Sequence, residues 1–262
     1  MSYVSDMSEE GFIDDFHDDI PTAEIEVTDA TCFEMKEPTE LKVGETIQIE
    51  RLKSIFPKCQ RYQELRMTDV GLYSVTRREE SYYITHLIVK YFPQSQHRLT
   101  ITDSCSGMGG NGISFLLHPS VEKVNFIELN PLHYDILRHN INIYGLERKA
   151  NIYNNNFLEI GSQLHQDVIF HDFPWGGSGY REAQQLRLGL CKSSQWSKND
   201  WVPIDEIVNE YKPRTRLQVC KVPTNFAFHH FFEHIEFQKI KIHKVYNRFS
   251  QKLYYYLIFL FS

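Results

Sequence analysis

From Leu99 onward the chain alternates two patterns: short runs of apolar and β-branched residues, and stretches whose apolar positions recur at helical spacing. The runs predict strands at Leu99–Cys105, Lys123–Leu129, Ala150–Asn155, Val168–Asp172 and Leu217–Val222. The helical spacing predicts a helix opening at Ile113–Leu117 and others over Pro131–Tyr144, Pro203–Tyr211 and Asn225–His234. The helix over Pro131–Tyr144 carries its own punctuation, with proline at its first position and Gly145 as its stop. Two longer runs, Glu236–Tyr246 and Lys252–Phe261, predict an antiparallel pair at a sheet edge. Strands alternating with helices make an α/β domain, its sheet parallel for the most part and covered on both faces.

Upstream the pattern weakens. Residues 1–50 hold few large apolar residues in any period, with turn formers at Pro21, Pro38 and Gly44, and are expected to be largely flexible. Only Val43–Glu50 alternates, which predicts a short edge strand. Glu50–Arg66 is mixed and basic and reads as helical turns; Thr76–Phe92 reads as a helix stopped by Pro93. The expected organisation is an acidic extension over 1–50, a helical segment over 51–95 and the core over 96–262.

Charge follows the same division. Residues 1–50 hold 15 acidic and 2 basic side chains, and residues 51–262 hold 19 and 26, so a leader of −13 precedes a body of +7. A basic body suits a phosphate-bearing partner. The five cysteines are scattered, with no CxxC and no Cys/His cluster at ligand spacing, which fits reduced thiols inside a cell and argues against a structural metal. No apolar run approaches the ~20 residues of a membrane span. Met1–Ile20 lacks the basic start and apolar middle of an export signal, so a soluble chain without membrane contact is expected.

Candidate chemistry concentrates in two loops. The first, DVIFHDFPWGG over Asp167–Gly177, ends a strand at a carboxylate, a proline, an indole and two glycines. Ligands of open α/β sheets sit beyond the carboxyl ends of strands. A planar amine-bearing base would stack on Trp175 and give its amine hydrogens to Asp172. His171 alternates to the other face and reads as packing; Asn140, on the helix after the second strand, reads as structural. In the second loop, Gly107, Gly109 and Gly112 form GxGxxG between a strand and a helix, with Asp103 at the end of that strand and Glu128 at the end of the next. Small residues let backbone approach a ligand closely, and an acid in the second position suits ribose hydroxyls. A nicotinamide dinucleotide and S-adenosylmethionine both fit such a loop. No catalytic His or Tyr–Lys pair stands out for a nicotinamide substrate, and the Asp172–Trp175 loop suits amine methylation better.

Together, DSCSGMGGNG, IELNP, LRHNINIYGL and DVIFHDFPWGG resemble the trimethylguanosine synthase family. Its members methylate the exocyclic N2 amine of 7-methylguanosine in an RNA 5′ cap. The likeness runs from about Lys58 to the C-terminus and is best between Tyr73 and Tyr180. It implies a Rossmann-like class I methyltransferase with a seven-stranded, mostly parallel sheet and a C-terminal antiparallel hairpin. It also implies S-adenosylmethionine as donor and capped RNA as partner, with no metal. A monomer is expected, in nucleus or cytoplasm, or in host cytoplasm if a virus encodes it. The resemblance assigns donor binding to Tyr73, Ser74, Val75, Thr76, Asp103, Cys105, Gly107, Gly109, Asn111, Glu128, Asn156, Phe157 and Asp172. Catalysis falls to Asp172, Pro174 and Trp175, and substrate binding to Trp175, Lys58, Arg61 and Asn225.

The chain departs from the family pattern in four places. Phe173-Pro174 stands where Pro-Pro is usual, and Thr224 follows Val222-Pro223 where an Arg is frequent. Asn155–Asn156 replaces an acid after the third strand, so an amide would hold adenine, and Arg181–Asp200 has no clear counterpart. Two other functions stay open: methylation of another exocyclic amine such as adenine N6, and a cap-binding module that has lost turnover.

Overall fold

A computed structural model of the chain describes residues 8–11, 26–30, 36–92, 98–192, 200–247 and 250–262. Eight strands share one sheet: β1 (Ser8–Gly11), β2 (Leu99–Asp103), β3 (Val121–Glu128), β4 (Ala150–Asn154), β5 (Val168–His171), β6 (Leu217–Pro223), β7 (Lys239–Tyr246) and β8 (Leu253–Phe261). Their order is β1-β7-β8-β6-β5-β2-β3-β4. Apart from the edge strand β1, this is the seven-stranded, mostly parallel Rossmann-like sheet with a C-terminal antiparallel hairpin that the sequence predicts. Two compact units divide the chain, residues 36–169 and residues 170–262 with 1–35.

In the 36–169 unit, β2 pairs parallel with β3, and β3 with β4. Eight helices punctuate the whole set of described residues, beginning with α1 (Ile49–Ile55), α2 (Gly71–Ser74), α3 (Arg78–Tyr91), α4 (Gly110–Leu117), α5 (Pro131–Tyr144) and α6 (Phe157–Ile160). The local signals of α5 act as read. The Asn130 side chain accepts the His133 N–H at 3.1 Å, Pro131 opens the helix, and Gly145 ends it at φ 66°. Asn140 is structural: its oxygen accepts the Arg66 N–H at 2.9 Å, and its amide nitrogen donates to the carbonyls of Arg66 and Met108. That one buried amide ties α5 to the segment before α2 and to the glycine loop. Pro93, expected to stop the Thr76–Phe92 helix, lies outside the described residues.

In the other unit, β6 and β7 both pair antiparallel with β8, and β1 pairs antiparallel with β7. Helices α7 (Ile204–Tyr211) and α8 (Phe228–His234) complete the set. Every residue of β6 is buried, as a strand covered on both faces requires. His171 is fully buried, bonded through Nε2 to the Gln218 side-chain oxygen at 3.0 Å, while the Gln218 amide donates to the Val208 carbonyl at 2.8 Å. Because that amide nitrogen is the donor to Val208, Nε2 of His171 carries the proton.

Burial pushes the His171 imidazole down from 6.5 to about 4, against the bond to Gln218, which raises it. A depressed folded-state value means the neutral ring stabilises fully above about 6.5 and ceases to do so as pH falls through about 4. The stability of the native chain relative to His171→Gln, which keeps an N–H for Gln218 but does not titrate, should therefore drop by about 3 kcal/mol from pH 7 to pH 4. Urea unfolding of both chains across that range measures it, and a constant difference would contradict it.

Two upstream expectations meet a different structure. Val43–Glu50 is not a strand: Gly44 takes φ 85°, the Lys42 N–H donates to Thr46 Oγ1 at 2.7 Å, and α1 begins at Ile49. A hydroxyl four residues on and a glycine at the turn close the chain on itself before any ladder forms. The described parts of the acidic leader are also paired. Val27–Asp29 runs parallel to Gln185–Arg187, with Asp29 3.7 Å from Arg187. Farther along, both Glu40 carboxylate oxygens meet the Arg66 guanidinium at 2.6 Å. The leader's acids thus find partners among the body's basic residues, and part of the body's charge is answered within the chain.

Candidate active site

The glycine loop joins β2 to α4 in the 36–169 unit. Gly109 caps α4 in the left-handed region at φ 96°. Gly112 is required for another reason: a Cβ there would stand 2.1 Å from the Phe126 ring of β3, so only glycine lets helix and strand approach this closely. Nothing lies within 4 Å of the corresponding position at Gly107, whose N–H donates to Glu128 at 2.8 Å. The other Glu128 oxygen accepts the Asn130 N–H at 2.8 Å. Its side chain is only 11% exposed, and burial pushes the carboxyl up to about 7 against the pull of these backbone donors. Asp103 is buried at the end of β2, and Cys105 is half-buried in the loop.

The segment assigned to the donor lies against this loop. The Asn111 amide donates to Thr76 Oγ1 at 3.0 Å, and Val75 packs so closely on Gly110 that a Cβ there would lie 2.4 Å from it. Tyr73 and Ser74 are exposed, Tyr73 at 87%. Asn156 caps α6, its side-chain oxygen accepting the Leu158 N–H at 3.0 Å, while Phe157 is buried. The Asn156 side-chain oxygen is thus engaged in a helix cap.

Asp172, Pro174 and Trp175 lie in the other unit, just past β5. Phe173 turns inward and packs edge-on against His171, with ring centroids 5.0 Å apart. Pro174 and Trp175 are half-buried, and Gly176 and Gly177 reverse the chain at φ 89° and 68°. Trp175 meets Tyr180 edge-on at 5.2 Å. The loop is stapled by Asn225, whose amide donates to the carbonyls of Tyr180 and Ala183, both at 2.8 Å. Into this loop reaches Lys221 of β6. Its ammonium donates to Asp172 Oδ2 at 2.9 Å and stands 5.3 Å from the centre of the Trp175 ring. Lys221 is only 5% exposed, so the ion pair is largely shielded from water.

Residues 98–210 match the model of a family described as RNA cap guanine-N2 methyltransferase. The likeness to that family extends over less than half of the chain. Among curated relatives, uncharacterized protein L320 of Acanthamoeba polyphaga mimivirus is 29% identical over 222 residues, 75% of this chain and 81% of that protein. The trimethylguanosine synthase of Schizosaccharomyces pombe is 28% identical over 114 residues, 41% of this chain and 45% of the synthase, so the match spans under half of that enzyme. Among solved structures, a protein of Porphyromonas gingivalis W83 described as a methyltransferase superposes with a TM-score of 0.51 at 15% identity, over 73% of this chain and 42% of that one. The methyltransferase domain named METTL16 gives 0.50 at 8% identity, over 71% and 83%. These likenesses support the class I methyltransferase fold.

Of the remaining residues assigned to cap binding, Arg61 and Asn225 have local side-chain partners. Arg61 pairs through two nitrogens with the Glu64 carboxylate three residues on, at 2.7 Å for Nε. Lys58 is exposed, and its backbone N–H donates to the Tyr82 hydroxyl at 3.1 Å. Asn225 acts as the staple already described. Sequence reasoning missed Lys221. Its signal was a single charged residue inside the apolar run LQVCKVP, a pattern that asks for a buried partner. Among the described residues, no group of three or more His, Cys, Asp or Glu side chains could hold a metal, and no helix is long and apolar enough to cross a membrane.

Proposed function

We propose that the chain transfers a methyl group from S-adenosylmethionine to the exocyclic N2 amine of 7-methylguanosine in an RNA 5′ cap. The observation that carries this reading, beside the family match, is the position of Lys221. A cation bearing N–H groups already touches the Asp172 carboxylate and the Trp175 ring at once. A 7-methylguanine base is also cationic and bears an amine, so the same two groups suit it.

The residues around the glycine loop suit the donor. Gly107 offers open space for close approach, and the Glu128 carboxylate beside it is an acceptor suited to ribose hydroxyls. When bound, S-adenosylmethionine supplies a sulfonium-activated methyl group. In the proposed reaction Trp175 stacks on the purine, worth ~1–2 kcal/mol as a cation–π contact when desolvated. Asp172 accepts an N2 hydrogen, turns the amine lone pair away from the ring system and takes or relays the proton. Guanine's amine is a poor nucleophile, so orientation is the large lever; base assistance adds ~10²–10⁴-fold.

Incubation with labelled S-adenosylmethionine and RNAs ending in 7-methylguanosine, unmethylated guanosine or adenosine tests the reading. Label on N2 of the 7-methylated cap supports it. Label on adenosine alone sinks it, and capped-RNA binding without transfer points to a cap-binding module.

Glu128 adds a pH signature. The raised value means that whatever stability its protonated form lends is full below about 4.5 and is lost as pH rises through about 7. Ribose hydroxyls donate to the charged form, so binding below about 7 must first remove a proton. The affinity for S-adenosylhomocysteine should rise about tenfold from pH 6 to pH 8. Calorimetry with Glu128→Gln should show a weaker and flatter profile; an equally steep one would remove Glu128 from donor binding.

A further inference from the structure

Lys221 is out of place for a strand interior. It is the one charged side chain in β6, a strand buried from Leu217 to Pro223, and its ammonium is held by three aromatic and acidic partners. It lies 2.9 Å from Asp172 Oδ2, 5.3 Å from the Trp175 ring centre and 5.2 Å from that of Tyr255, which is itself buried. A buried ammonium is tolerated only with such compensation. Two of its partners, the carboxylate and the indole, are those assigned above to the acceptor base.

We propose that Lys221 competes with the acceptor: its ammonium fills the place of a cationic, amine-bearing purine, and that base binds by displacing it. The proposal rests on the reading of Asp172 and Trp175 as the acceptor clamp. Its chemistry is an exchange of cations. With the ammonium in place the carboxylate's charge is cancelled and the π face is engaged. A neutral purine cannot replace that charge, whereas a 7-methylated purine restores both contacts as it expels the lysine. The flexible four-carbon stem of lysine allows the head to swing out while the strand stays fixed.

Binding of 7-methylguanosine diphosphate and of guanosine diphosphate, each followed by tryptophan fluorescence, tests this with native chain, Lys221→Met and Lys221→Arg. Lys221→Met should tighten the 7-methylated ligand about tenfold and the unmethylated one by a similar factor, whereas Lys221→Arg should stay close to the native chain. Unchanged or weaker binding of the 7-methylated ligand to folded Lys221→Met overturns the competitor role but spares the clamp. If neither the native chain nor Lys221→Met prefers the 7-methylated ligand, the clamp itself is wrong and the competitor role falls with it. A measurement on the native chain covers failure of the variant to fold. The ε-methylene protons of Lys221 should be shifted upfield in NMR spectra of the free chain by the Trp175 and Tyr255 rings, and should lose that shift on saturation with 7-methylguanosine diphosphate. A shift that persists at saturation overturns the proposal.

Discussion

Asp172→Asn is expected to cut turnover by about 10²–10⁴-fold while S-adenosylhomocysteine still binds. The amide can accept a hydrogen bond but cannot take a proton, so a base role is lost and much of the geometry kept. The same substitution strands Lys221, whose side chain is 6% exposed against 16% for Asp172. Removing one member of a largely buried pair costs about 3–5 kcal/mol, so lower activity could reflect unfolding alone. The double variant Asp172→Asn/Lys221→Met separates the causes. It removes the uncompensated cation and should recover most of the stability lost in Asp172→Asn, yet turnover should stay low. Unfolding curves and single-turnover rates on the native chain, both single variants and the double variant give the comparison. A folded Asp172→Asn chain that methylates at the native rate would take Asp172 out of the chemistry.

Trp175→Ala should raise KM for capped RNA by about 10–100-fold, with kcat at saturation changed far less. Stacking a base on an indole contributes about 1–3 kcal/mol, and the positive charge of a 7-methylated ring adds a cation–π part. Trp175→Phe should fall between, since a phenyl ring keeps a face but holds a cation less well. The preference for 7-methylated over unmethylated cap should shrink in the same order. The loop's fold is protected in these variants, because Asn225 holds it through the carbonyls of Tyr180 and Ala183 and not through the indole. Cap affinity equal to the native value in Trp175→Ala would mean that the base lies elsewhere.

The family match bears on these tests without replacing them. It covers residues 98–210, which include the glycine loop, Glu128 and the Asp172–Trp175 loop. Lys221 and Asn225 lie beyond it, and so do Lys58 and Arg61. The residues proposed for catalysis therefore lie within the matched stretch, and Lys221 lies outside it.

What the sequence determined by itself was whatever depends on near neighbours. Helix α5 was legible from end to end because Asn130, Pro131 and Gly145 act within a few residues of where they stand. The core strands were legible because buried runs must be apolar, and the glycine loop because a close approach of backbone tolerates no side chain. Asp172 and Trp175 became candidates because a strand that ends at acid, proline, indole and glycines lies where open α/β sheets bind ligands. The short ribbons at Gln185–Arg187, Gly189–Cys191 and Trp201–Pro203 were not legible, since three residues are too few to display a period. Only the tertiary structure decided which charges answer which. Arg61 turned to Glu64, the acids of the leader turned to Arg66 and Arg187, and Lys221 crossed 49 residues of sequence to Asp172. Pairing of charges is a matter of distance in space and of excluded water, and neither is written in the order of the residues.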